Sequence, residues 1–389
     1  MVTRLHQKRA PMRSIFPLAL ALFAATAAFA QFPGLTLPPS GNNQRATVKQ
    51  AIGPVDVSVE YSGPAVHGPD GKDRRGEIWG KLVPYGMVNL GFGTAKESPW
   101  RAGANENTIF TVSNDVIVQG KPLPAGRYGL HMIPGQDEWT IIFSKNSSAW
   151  GSFFYDPAQD ALRVTTKPHK NDYHEWLTYE FVARRPAEAT VELQWEDLAI
   201  PMNIQVENVN DIYIARLRDE LTSNAGFSEQ AFMAAAQFCV EANTHLDQGL
   251  EWADAAISRP FIGKKDFDTL STKALVLTKM GRDADSDKVM QEALRSPDAT
   301  PAEIHQYGRQ LLAAKKTDQA MAVFKYNAER NGDTWPVHVG LARGYSALGD
   351  TRQALEHAQK ALTQAPDDAN RHALEAMVKT LSEGKPISQ

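Results

Sequence analysis

Hydrophobic and polar positions change rhythm once along this chain. In Val55-Asp56-Val57-Ser58-Val59-Glu60-Tyr61 apolar residues alternate strictly with polar ones. That is the period of a strand with one face on a core and the other in water. Short runs of this kind recur from about Thr47 to Val206, bounded by Gly, Pro, Asn and Asp. They predict strands over 78–86, 109–112, 116–118, 127–133, 139–143, 150–155, 162–166, 175–182, 190–195 and 200–206. Ser113-Asn114-Asp115 reads as a hairpin turn between the runs on either side. Lys121 to Gly126 reads as a turn, because Pro122 and Pro124 cannot donate to a ladder. Many short strands with no helical period among them argue for an antiparallel β-sandwich or barrel.

Near Asn208 the rhythm switches. Asp211 can cap a helix over 212–221, and from Ser228 onward Ala, Leu, Gln and Glu dominate. This half repeats itself: Ala347-Leu348-Gly349-Asp350-Thr351-Arg352-Gln353-Ala354 aligns with Ala313 to Ala320 and, one step earlier, with Lys279 to Ser286, each 34 residues apart. The period is that of the tetratricopeptide repeat, and the last copy resembles it residue by residue. Leu341, Tyr345, Gly349, Ala354, Ala361 and Pro366 fall on the expected types, while His338 and Ala358 depart from them. Gly308, Ala320 and Phe324 serve in the preceding copy, residues 228–257 form a looser unit, and 368–383 should be a capping helix. The resemblance implies a helical solenoid that presents a groove to a protein or peptide. Its inward candidates are His305, Gln306, Arg309, His338 and Arg343.

The first 30 residues read as a signal peptide. Lys8, Arg9 and Arg13 precede an apolar run from Ile15 to Phe29, and Ala28-Phe29-Ala30 fits a small-x-small cleavage site. An uncleaved anchor is the alternative. The run is short and interrupted by Pro17, so cleavage before Gln31 and an exported, periplasmic or secreted protein are expected, with no membrane span left after cleavage. The organisation expected is therefore a signal peptide (1–30), a flexible lead-in (31–46), a β domain (47–207) and helical repeats (211–389).

Composition adds limits. One cysteine, Cys239, excludes a disulfide framework, and a net charge of −4 leaves no nucleic-acid footprint. No nucleophile elbow, P-loop or dinucleotide fingerprint is present, so a non-catalytic protein without cofactor is the preferred reading.

Residues of about 44 to 207 also carry a set of ordered motifs. These are Ile78-Trp79-Gly80-Lys81-Leu82-Val83-Pro84-Tyr85-Gly86, Trp100-Arg101-Ala102-Gly103-Ala104-Asn105-Glu106 and Leu123-Pro124-Ala125-Gly126-Arg127-Tyr128-Gly129-Leu130, followed by Asp137 to Ile142 and Trp150 to Pro157. In these the chain resembles the bacterial family called domain of unknown function 2911. The resemblance implies an exported β-rich domain, sometimes followed by helical repeats, and no established reaction. The segment from Met87 to Pro99 is longer than the family's usual link.

Within the β domain, Arg101, Asn105 and Glu106 form the densest polar cluster. As a ligand site, Arg101 would clamp a carboxylate or sugar hydroxyls, and Glu106 would exchange a proton. As a loop staple, Arg101 would pair with Glu106 or Asp115, with Asn105 closing an Asx-turn. His131 shares a strand face with Gly129 and Ile133 and lines it together with Arg127, either toward a ligand or as a satisfied histidine. Trp79 and Trp100 are among six tryptophans of this domain; exposed rings stack on sugars, and buried ones fill a core. A glycan or small ligand on this cluster, with or without hydrolysis, is the alternative function. His169, His174 and Glu175 lack a metal-binding spacing, so no metal site is expected.

Overall fold

The computed structural model describes residues 40–387, so the expected signal peptide lies outside the described residues. The chain divides into two compact units, one carrying Asp56–Ile204 and one carrying Gln205 onward.

Among the described residues the first unit holds ten strands: β1 (Gln44–Ile52), β2 (Val55–Gly63), β3 (Thr108–Val112), β4 (Val116–Val118), β5 (Lys121–Leu123), β6 (Gly126–Ile133), β7 (Trp139–Ser144), β8 (Asp160–Thr166), β9 (His169–Arg185) and β10 (Glu188–Gln205). They form two sheets, ordered β1-β2-β3-β6-β7-β8 and β5-β4-β10-β9. Alternation along β2 buries Val55, Val57, Val59 and Tyr61, with Phe110, Leu130, Met132, Ile141 and Phe143 from neighbouring strands. This is the antiparallel two-sheet fold that the period-two pattern demands.

Four local readings are corrected. β3 and β4 do not form a hairpin; they belong to different sheets. Ser113 turns the chain between the sheets by exchanging backbone and side-chain hydrogen bonds with Asp56. Lys121–Leu123 is a strand despite Pro122, because β5 is an edge and the proline's missing N–H is not needed there. Residues 78–86 and 150–155 are irregular, bent at Gly80, Gly86 and Gly151, all with positive φ. The runs at 190–195 and 200–206 are one strand, because a bulge at Glu196 (φ 56) shifts register without ending the pairing to β9.

The second unit is helical: α1 (Val209–Glu220), α2 (Glu229–Glu241), α3 (Leu246–Ser258), α4 (Phe267–Lys279), α5 (Asp283–Arg295), α6 (Pro301–Ala313), α7 (Thr317–Asn331), α8 (Trp335–Ala347), α9 (Thr351–Thr363) and α10 (Asp368–Ser382). Asp211 is not the first cap. It sits in the first turn of α1, whose N-cap is Asn208 in the left-handed region. Capping boxes open α4 (Asp266, Thr269) and α6 (Thr300, Glu303), each satisfying two orphan amides. Helices pair as α2/α3, α4/α5, α6/α7 and α8/α9, and α10 packs on α9. Ala354, Ala358 and Ala361 of α9 are fully buried against α8 and α10, with Leu374 and Leu381 of α10 covering the last pair's apolar edge. Cys239 is buried beside Gly249, where burial pushes its thiol up to about 11, out of reach of ordinary thiolate chemistry. No helix among the described residues is long and apolar enough to cross a membrane.

Candidate functional site

The Trp100–Asn107 loop is held open by its own backbone. Ala102 and Asn105 lie in the left-handed region, at φ 52 and φ 57. The buried Ala102 carbonyl accepts from Thr108 Oγ1 (3.1 Å) and from Tyr179 Oη (2.9 Å). This pair pins the loop to β3 and β9. Tyr179→Phe removes one of the two donors and leaves the other. It is expected to destabilise the β unit by about 1 kcal/mol, read as a lower urea midpoint of tryptophan fluorescence at unchanged m-value. An unchanged midpoint would show that the phenol does not hold the loop.

Side chains leave the loop in two directions. On one side Arg101 donates to the Asn105 carbonyl and lies over the Phe153 ring, 4.9 Å from its centroid. Gly151 makes room: a Cβ there would stand 2.3 Å from the guanidinium. Arg101 thus staples its own loop, through a carbonyl and a ring rather than through Glu106 or Asp115. Glu106 accepts from Ser62 Oγ (2.9 Å), and Asp115 accepts from the Ala125 amide. Asn105 Oδ1 accepts from Asn43 Nδ2 (3.2 Å).

His131 lies on this same side, 2 % exposed, with Nδ1 2.9 Å from Ser152 Oγ and its ring edge-on to Tyr155. Burial, and then the Arg101 charge, push its pKa down to about 4. Ser152 is itself 1 % exposed. A serine–histidine pair this enclosed gives a substrate no approach, so it reads as a satisfied core contact. Arg127 is exposed and paired with Glu60 at 2.7 Å. Arg101, Glu106, Arg127 and His131 therefore do not converge on one concavity. His169 pairs with Glu192, and Glu175 binds His67 and Tyr173. Among the described residues no group of three or more His, Cys, Asp or Glu is placed to hold a metal ion.

The loop's other side faces a cavity of about 360 Å³ lined by Trp100, Gly103 and Ala104, with Arg74, Leu82 and Trp195. Trp79, Trp100, Trp139 and Trp195 form one cluster here, with centroids 5.2–6.5 Å apart. Trp195 is one of the domain's six tryptophans and Arg74 does not stand out in the sequence; they come from strand and loop segments that only the fold brings together.

In the helical unit a concavity of about 370 Å³ runs along α2, α4, α5 and α6, lined by Gln237, Ser271, Leu275, Gln306 and Gln310 among others. Beside it on α6 stands His305, pushed down to about 4 by burial and then by Arg343 and Arg309. A Cβ on Gly340 of α8 would stand 3.1 Å from His305 Nδ1. Burial, and then Arg309, hold the Arg343 guanidinium below its usual range. His305, Arg309 and Arg343 thus lie within electrostatic reach of one another. His338 is elsewhere: it is buried against α9, where its Nδ1 is 3.0 Å from His357 Nδ1 and Nε2 meets Asp333. Its place in the repeat faces the paired helix, not the groove.

Residues 43–204 match the family model described as protein of unknown function (DUF2911), and residues 311–378 match a tetratricopeptide repeat model. No curated protein matches the chain. Similar solved structures include TTC0263, a thermophilic TPR protein of Thermus thermophilus. It is 19% identical, with 43% of this chain and 90% of that one covered and a TM-score of 0.31. YrrB, described as a TPR protein with an unusual peptide-binding site, is 18% identical over 43% of this chain and 85% of its own, with a TM-score of 0.29. Pseudomonas aeruginosa pilF is 14% identical over 44% and 75%, with a TM-score of 0.28. The chain thus carries a DUF2911 match over residues 43–204, followed by a tetratricopeptide repeat match over residues 311–378.

Proposed function

We propose that this is an exported, non-catalytic binding scaffold whose helical repeats take a peptide segment bearing a carboxylate. The carrying observation is the close approach of α6 and α8 at His305, where an added Gly340 Cβ would stand 3.1 Å from its Nδ1, with Arg309 one turn on from His305 and Arg343 one turn on from Gly340. Two like charges beside a half-buried imidazole raise each other's energy, and a carboxylate placed between them relieves that repulsion. The neighbouring concavity adds amide side chains, Gln237, Gln306 and Gln310, suited to an extended backbone. Repeat arrays of this kind mostly act as binding surfaces.

Calorimetric titration of the full chain with an Asp/Glu-rich peptide, and with a Lys-rich control of equal length, tests the reading. The acidic peptide is expected to bind and the control not. Arg309 is exposed, so Arg309→Glu leaves the fold intact. Turning one attraction into a repulsion is expected to weaken the acidic peptide at least about tenfold. Equal binding of both peptides, or an Arg309→Glu variant that binds as well as wild type, would reject the carboxylate site. Export rests on the sequence of the first 30 residues. It is tested by N-terminal sequencing of the protein from a bacterial periplasm, where Gln31 is the expected first residue.

A further inference from the structure

The geometry points to a second binding site, independent of the repeats: we propose that the β unit binds an acidic sugar ring in the cavity beside the Trp100–Asn107 loop. The cavity's volume, about 360 Å³, falls in the range of small-molecule sites. Its walls are largely aromatic and aliphatic: Trp100, Trp195, Leu82, Val83, Pro64 and Pro69. The Trp100 and Trp195 rings lie nearly parallel, 16° apart, with centroids 6.5 Å apart. An indole face packs well on the C–H face of a pyranose.

The polar side chains that line it include Arg74, Trp195 and Asn43, whose amide donates to Asn105 Oδ1. Trp195 is 1 % exposed, and its indole N–H has no hydrogen-bond partner among the described residues. Arg74 is held in place by its own bonds: Nε donates to the Val66 carbonyl (3.1 Å) and Nη2 to the Ala65 carbonyl (2.8 Å). Three of a guanidinium's five N–H groups remain. Among the described residues neither a carboxylate nor a histidine lines the cavity. The occupant must therefore be rich in acceptors and have one apolar face. A ring carboxylate meets the Arg74 guanidinium. A sugar acid carries all three features; a neutral sugar lacks the carboxylate, and a simple carboxylic acid lacks the face.

Titrating the full chain with glucuronate, glucose and acetate, followed by tryptophan emission and calorimetry, tests this. Glucuronate is expected to bind with a Kd of about 1 mM or tighter and to shift the emission, glucose at least about tenfold more weakly, and acetate without detectable heat. Arg74→Gln is expected to weaken glucuronate about tenfold or more and to leave glucose unchanged. Leu82→Glu, at a lining position 47% exposed, sets a second carboxylate beside the ring carboxylate without touching any side-chain hydrogen bond and is expected to weaken glucuronate about tenfold. It keeps the test decisive if Arg74→Gln fails to fold. No response to glucuronate up to about 10 mM, acetate binding as well as glucuronate, or an undiminished glucuronate affinity in Leu82→Glu would overturn the proposal.

Discussion

Replacing Phe324 by alanine is expected to destabilise the helical unit by about 3–5 kcal/mol, the usual loss for deleting a fully buried aromatic ring. Phe324 is fully buried on α7. Its ring lies where three glycines let two other helices approach: added Cβ atoms would stand 2.2 Å from it at Gly308, 2.6 Å at Gly340 and 3.0 Å at Gly344. Helices α6 and α8 therefore close on one side chain, and removing it empties the contact between consecutive repeats. In a solenoid each repeat is stabilised only by its neighbours, so the loss spreads across that interface. Thermal unfolding followed by helical circular dichroism should show a midpoint lower by roughly 6–20 °C. Gly308→Val reaches a comparable loss from the opposite direction, by overpacking the same site. A midpoint within about 2 °C of wild type for Phe324→Ala would mean that the repeats are not held through this ring.

That ring also shows what was legible in the sequence. Gly308, Ala320 and Phe324 stand out because a 34-residue period compares like positions, and burial of all three follows from the comparison. His338 sits at a position where the repeat pattern expects a large aromatic. That expectation describes its surroundings well: it packs on His357 at 5.2 Å, inside the helix pair. A groove position for His338 runs against that hint. In the β unit, alternation gave β2, β6 and β7 with their inward faces. It could not tell that β3 and β4 part company, since Ser113 serves a hairpin and a sheet crossing equally well.

The candidate site was less readable, for a physical reason. Arg101 stood out, yet its partners are a carbonyl and a ring, which no charge pattern announces. The cavity on the loop's other side depends on Arg74 and Trp195, which are distant in sequence. Sequence spacing finds sites built within one element. A cavity walled by separate segments becomes visible only once the sheets are closed around it.

The second large effect is a pH dependence centred on His131. In the folded chain its pKa lies at about 4, against an ordinary value of 6.5. The groups around it explain the shift. Burial penalises the charged ring first, and Arg101 from the loop then repels it. Ser152 and Tyr155 offer only a hydroxyl and an aromatic edge. Asp160, the nearby carboxylate, is taken by Tyr155 and Arg163. The unfolded chain takes up a proton near pH 6.5, while the folded chain does so only near 4. The contribution is therefore complete above pH 6.5 and is lost as pH falls toward 4. The difference amounts to about 3 kcal/mol. Urea unfolding monitored by tryptophan emission, which comes mostly from the β unit because six of the eight tryptophans lie there, is expected to shift to lower midpoints across that window. His131→Gln is expected to flatten the dependence, whatever it does to stability at pH 7. Arg101→Met removes the repelling charge, so the folded-state pKa moves back up toward its ordinary value. The window of loss then closes at a higher pH, and its total amplitude shrinks. An equally steep dependence in His131→Gln would place the titrating group elsewhere.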